Sequence, residues 1–100
     1  MINLEEAVME IIVNAGQSRS LCFEALQAAR DGSIERAKSL LVEADGFARE
    51  AHKMQTKLIE QDAGEARQPM TLIMVHAQDH LMTSMLAREL SEEIIHLYQR

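Results

Sequence analysis

Five consecutive residues, His76-Ala77-Gln78-Asp79-His80, bring two imidazoles, a carboxamide and a carboxylate together within an otherwise apolar run. Leu72-Ile73-Met74-Val75 precedes them and Leu81-Met82 follows. On a helix turning about 100° per residue, His76, Asp79, His80 and Thr83 share one face, while Gln78 projects elsewhere. A buried polar group without a partner costs roughly 1–3 kcal/mol, so a cluster of this kind inside an apolar helix calls for a reason.

Three chemistries fit these residue types. In the first, the histidines are core residues satisfied by hydrogen bonds. In the second, His76 and His80 use their i, i+4 spacing as paired metal ligands with Asp79 beside them. The Glu that follows the first His in helical zinc motifs is absent, since Ala77 stands there. In the third, one imidazole is a nucleophile. Neutral imidazole is competent near neutral pH, and phosphoryl transfer asks a protein mainly for in-line positioning and donors to the equatorial oxygens. His80 and the Gln78 amide can supply such donors, from the same chain or a neighbour. The residue types alone leave the metal and phosphoryl readings open.

The elements that must hold this cluster are delimited by two breaks. Asp31-Gly32-Ser33 is the first, with Gly32 suited to a left-handed position after a helix and Ser33 to an N-cap. The second runs from Asp62-Ala63-Gly64 to Gln68-Pro69, where Gly64 closes one helix and Pro69 suits the first position of the next. Three helices are predicted, over about 4–30, 34–62 and 69–98, within one domain spanning 1–100.

Asn3 and Glu6 open the first helix in capping-box spacing. Leu4, Val8, Ile11, Ala15, Ser18, Cys22, Ala25 and Ala29 then recur in steps of four and three, an apolar stripe with one polar interruption. Gly16 within it either permits close helix approach or is simply tolerated, at about 1 kcal/mol relative to Ala. The second helix carries Ile34, Ala37, Leu41, Ala44, Ala48, Ala51, Gln55 and Leu58, mostly small residues that let a neighbour come near. The third differs, because four consecutive apolar residues point all around its axis. A helix apolar on every side is buried on every side. Three helices of about 28 residues, each about 42 Å long, make a thin bundle that leaves part of any helix uncovered. Full burial of the third helix therefore predicts a homo-oligomer.

Composition narrows the function. The chain is 47% hydrophobic but 3% aromatic, with seven Met and no Trp, so its core is aliphatic and a ring-lined cleft for a sugar or base is disfavoured. A net charge of −6 without a Lys/Arg run argues against nucleic-acid backbones and anionic lipid. One cysteine, Cys22, excludes an internal disulfide and fits a reducing cytoplasm. The N-terminal Met1-Ile2-Asn3-Leu4-Glu5-Glu6 lacks the basic region of a secretory signal, and no stretch is apolar enough to span a membrane.

His76-Ala77-Gln78-Asp79-His80-Leu81-Met82-Thr83 resembles the signature of the lactose/cellobiose-type IIA proteins of the sugar phosphotransferase system. Asn14-Ala15-Gly16-Gln17-Ser18-Arg19-Ser20, Ala51-His52 with Gln55-Thr56, and Asp62-Ala63-Gly64-Glu65 are similar too, in order along the whole chain. Ser84-Met85-Leu86-Ala87-Arg88-Glu89-Leu90 looks closest to the chitobiose/cellobiose branch. The resemblance implies an all-α, antiparallel three-helix subunit that assembles into a homotrimer with a coiled-coil-like core. It implies that His76 is the phosphoryl acceptor, at the tele nitrogen Nε2, taking the group from phospho-HPr. His76 would pass it to a cysteine of the cognate IIB component for uptake of a β-linked disaccharide. Gln78 and His80 would be hydrogen-bonding neighbours of that site. Asp79 from three subunits would meet at the trimer axis around one divalent cation, with magnesium expected, because three carboxylates there repel unless a cation or protons intervene.

The remaining conspicuous residues have plain readings: His52 a structural or surface histidine, His96 a cation favourable at a helix C-terminus, Cys22 a packing residue, and the Met residues core filler. Glu5-Glu6 and Glu92-Glu93 read as solvated faces. Two rival functions remain at this level: a helical scaffold whose Asp79 and His80 bind a structural metal, and a two-component phosphorelay domain that also uses a histidine.

Overall fold

Three helices account for nearly all of the computed structural model, which describes residues 3–64 and 67–100: α1 (Leu4–Arg30), α2 (Ile34–Ala63) and α3 (Leu72–Tyr98). Glu65, part of the motif resemblance, and Met1-Ile2 lie outside the described residues. The helices pack antiparallel in sequence order into a rod of 51 × 18 × 17 Å. None of the described helices is long and apolar enough to cross a membrane.

Local chemistry sets the helix ends. The Asn3 side chain accepts from the Glu6 backbone N–H at 3.2 Å, which starts α1. At its end, Ser33 N–H donates to Ala28 O at 2.8 Å and Gly32 N–H to Ala29 O at 3.0 Å. This paired closure needs a residue at positive φ, and Gly32 supplies it at +89°. Ser33 precedes α2 as expected, but its side chain makes no capping bond. Gly64 ends α2 as expected, at φ −90°.

The start of α3 differs from the sequence expectation. Pro69 is not the first helical residue. The helix begins at Leu72, and Thr71 is its N-cap, with Oγ1 accepting from Met74 N–H at 3.2 Å. The side-chain acceptor outcompetes proline's preset backbone, because it satisfies a donor that the helix leaves without an internal partner. Before it, Gln68 N–H donates to Asp62 Oδ1 at 2.8 Å, tying the connection to the end of α2.

The stripe on α1 is buried from Val8 to Ala29, with Leu4 half-buried at its start. Ala37, Ala44 and Ala51 on α2 are fully buried, so small side chains let α1 and α2 approach closely. Two apolar clusters result. One joins Val8, Ile11, Leu58, Met74 and Leu81; the other joins Cys22, Ala25, Leu40, Leu41 and Ile95. A polar layer lies between them. Arg88 reaches Asp45 with Nε at 2.6 Å and Nη2 at 3.0 Å, and Glu92 with Nη1 at 2.7 Å. Asp45 beside it raises the already high pKa of Arg88, so this bridge between α2 and α3 stays charged. Burial pushes the Cys22 thiol up, against the pull of Arg88.

The expectation that α3 is buried on every side fails for the single chain. Met74, Ala77, Leu81, Ser84, Ser91 and Ile95 face the core, whereas Leu72, Ile73, Val75, Leu86, Leu90 and Leu97 are exposed. Two partner helices cover only one side of a third. The Met residues also divide: Met74 is buried, but Met9, Met70 and Met82 are exposed and do not fill the core.

Candidate functional site

The outward side of α3 follows a regular rule. Leu72, His76, Asp79, Thr83, Leu86 and Leu90 are all exposed and succeed each other in steps of four and three, with Leu97 one heptad beyond Leu90. That is the spacing of a coiled-coil seam, turned away from this chain's own core. The polar members of the sequence cluster therefore occupy the middle of an apolar outer stripe. Thr83 Oγ1 donates back to the Asp79 carbonyl at 3.0 Å and to that of His80 at 3.2 Å, and Ser84 Oγ donates to His80 O at 2.7 Å.

His80 lies on the flank of α3 that faces α1, and His76 stands beside it at the edge of the outer stripe. Their rings are parallel, 2° apart in tilt, with centroids 6.0 Å apart. His76 is exposed and His80 half-buried. Gly16 on α1 lies beside His80: a Cβ at that glycine would stand 3.5 Å from His80 Nε2, an ordinary van der Waals contact that an alanine would also make. Of the two sequence readings of Gly16, simple tolerance is the one this spacing fits. An exposed ring with a second imidazole stacked beside it has the access a nucleophile needs, and the neighbour carries N–H groups that can donate to an anion.

Gln78 stands elsewhere. Two residues on from His76, it is rotated about 200° around the helix and faces α2. There its Oε1 accepts a hydrogen bond from Gln55 Nε2. Gln55 is 8% exposed, and the thioether sulfurs of Met82 and Met74 lie 3.9 Å from the Gln55 and Gln78 amide nitrogens. Gln78 and His76 of the same chain face different ways. Gln55 was visible in the sequence only as the one polar member of the α2 stripe; its partner lies 23 residues away.

Asp79 is exposed on the outer stripe, and the described residues contain no group of three His, Cys, Asp or Glu able to hold a metal ion. One chain thus supplies one carboxylate oxygen donor set at this place, which fits a hard cation only if other copies add theirs. His52 is exposed on α2, beside a groove of about 900 Å³ that Asp45, Ala48, Thr56 and Met85 also line. His96 is exposed in the last turn of α3. Neither is joined to His76 by a hydrogen bond, ion pair or ring contact.

Comparison with known proteins places this arrangement. The family described as "PTS system, Lactose/Cellobiose specific IIA subunit" matches residues 6–99. The N,N'-diacetylchitobiose-specific EIIA component of Escherichia coli strain K12 is 53% identical over 97 residues, covering 97% of this chain and 84% of that protein. The crystal structure of the cellobiose-specific enzyme IIA from Bacillus anthracis superposes with a TM-score of 0.94 at 37% identity, covering 99% of this chain and 91% of that one. A solution structure of the Escherichia coli IIA(chitobiose)–HPr complex contains a chain that superposes with a TM-score of 0.85 at 50% identity, covering 99% and 96%. With the family matched over residues 6–99 and the His76 signature exposed on α3, the chain belongs to the lactose/cellobiose family of phosphotransferase-system IIA components.

Proposed function

We propose that this chain is a cytoplasmic phosphocarrier for uptake of a β-linked disaccharide, receiving its phosphoryl group from phospho-HPr on His76. The observation that carries the reading is the placement of His76: exposed, on a rigid helix, with His80 stacked beside it. In the first transfer the Nε2 lone pair of His76 attacks phosphorus, the N–P bond of the donor breaks, and a neutral imidazole leaves. In the second, a thiolate of the cognate IIB component attacks, the new N–P bond breaks, and His76 returns to its starting form. His80 donates an N–H toward the phosphoryl oxygens. The complex of the Escherichia coli relative with HPr supports the choice of donor, and the relative's chitobiose specificity supports the sugar class.

Assembly follows from the outer stripe of α3. Three copies packed through Leu72, Leu86, Leu90 and Leu97 would bury the leucines that one chain leaves exposed, with His76 left accessible at the α1-side edge of the seam, giving a homotrimer with a coiled-coil-like core. In a ring built by rotation about an axis parallel to α3, the α1 flank of each copy meets the α2 flank of the next. Gln78 lies on the α2 flank, only about 3 Å along the axis from the level of His76. Its amide therefore serves the phosphoryl group on the neighbouring copy. Asp79, on the stripe itself, supplies one carboxylate per copy to a divalent cation at the axis, for which magnesium suits an all-oxygen set.

The experiment is direct. The purified protein is incubated with phosphoenolpyruvate, the general phosphotransferase enzyme and HPr, then weighed and mapped. A gain of one phosphate on His76, lost in His76→Ala, is expected. No gain with active upstream proteins, or a label elsewhere, refutes the proposal. For the cation, metal analysis of the wild type against Asp79→Leu decides: stoichiometric metal retained by the variant excludes Asp79.

A further inference from the structure

Gln78 serves a neighbouring phosphoryl group only if its amide presents N–H outward, and a glutamine amide has no intrinsic preference between its two ends. Three groups around it remove that ambiguity. Gln55 donates from Nε2 to Gln78 Oε1. The Met74 sulfur lies 3.9 Å from Gln78 Nε2, and the Met82 sulfur lies 3.9 Å from Gln55 Nε2. A thioether accepts weakly and donates nothing, so both sulfurs favour the nitrogen ends where they stand. Turning either amide alone would set oxygen against oxygen or nitrogen against nitrogen. Gln55 itself is held, being 8% exposed on the buried stripe of α2.

We propose that Gln55 is a positioning residue for phosphoryl transfer, locking the Gln78 amide with its oxygen inward and its spare N–H available to a phosphoryl oxygen. This rests on the reading of Gln78 given above, and it adds a residue that never touches the phosphoryl group. The oxygen of Gln78 is occupied, so the side chain acts as a donor alone. That is the polarity an anion requires.

Three variants test this, each read as the rate of phosphoryl gain from phospho-HPr per folded molecule, with folding monitored by circular dichroism. Gln78→Met removes the donor and is expected to slow transfer about ten- to a hundredfold, the usual range for a hydrogen bond to a charged group. Gln55→Met keeps side-chain length beside two existing thioethers and is expected to slow transfer several-fold. The double variant should be no slower than Gln78→Met, because Gln55 acts through Gln78. Gln55→Glu tests polarity: an ionised carboxylate only accepts, so it draws in the Gln78 N–H, turns the oxygen toward the phosphoryl group, and slows transfer more than Gln55→Met does.

Wild-type transfer by Gln55→Met, beside a slow Gln78→Met, overturns the positioning role and leaves the role of Gln78 standing. Multiplying losses in the double variant also overturn it, since Gln55 would then act independently. Wild-type transfer by Gln78→Met removes Gln78 from the site, and the role of Gln55 with it.

Discussion

Replacing Leu90 with serine separates the outer stripe of α3 from the fold that carries it. Fully burying a leucine side chain is worth about 1.5–3 kcal/mol. Leu90 is 53% exposed in the single chain, so about half of that, roughly 1–1.5 kcal/mol, remains to be gained when copies pack. Three copies together lose roughly 2–5 kcal/mol, which weakens the trimerisation constant by about thirtyfold to several-thousandfold. The half of Leu90 already covered costs the isolated chain a similar 1 kcal/mol or so, too little to unfold a domain of this kind. Sedimentation equilibrium over a range of concentrations reads the constant, and circular dichroism on the same samples reads the fold. Val42→Ser is the control: Val42 is 68% exposed on α2, away from the stripe, and its loss should leave association unchanged. Because Gln78 lies on the flank opposite His76, phosphoryl transfer by Leu90→Ser should fall on dilution and recover at high protein concentration. A trimerisation constant within threefold of wild type, or a wild type that stays monomeric at millimolar concentration, refutes the reasoning.

Three further outcomes follow from the packing. Arg88→Met strips the Asp45 carboxylate of a two-pronged partner; Asp45 keeps a 35% exposed side chain, so water screens part of the loss and about 1–2 kcal/mol in urea unfolding is expected. Adding Asp45→Leu to that variant should recover part of it. Leu81→Ala, at a fully buried position, should cost about 2–5 kcal/mol, while Met82→Ala, at a half-exposed one, should cost clearly less in the same assay. The buried Cys22 thiol has a pKa raised above its ordinary value of 9.0 in the folded chain. Its contribution is therefore complete below that pH and lost as pH rises beyond it, where the unfolded thiol ionises first. Cys22→Ser should show a shallower alkaline loss of stability, and iodoacetamide at pH 8 should label Cys22 in urea but not in the folded protein.

The sequence by itself determined the helices and the cluster on the third. Steps of four and three from Val8 to Ala29 require one buried face, and Gly32 is the residue type that a left-handed turn demands, so both are legible without coordinates. The spacing of His76, Asp79 and His80 likewise fixes their relative directions, because the helix period is a local property. Periodicity does not state how one helix is rotated against another. Leu72 to Val75 are apolar in every direction, and only packing against α1 and α2 decided that Met74 turns inward while Leu72, Ile73 and Val75 remain outside. Competing local signals posed the same problem at Pro69 and Thr71, where the hydroxyl that caps Met74 N–H prevailed. Pairs far apart in the chain, Gln55 with Gln78 and Asp45 with Arg88, leave no periodic trace at all. They exist because antiparallel helices bring those levels together; the helix period alone sets Gln78 about 200° from His76, but it is tertiary packing that turns Gln78 toward Gln55 on α2.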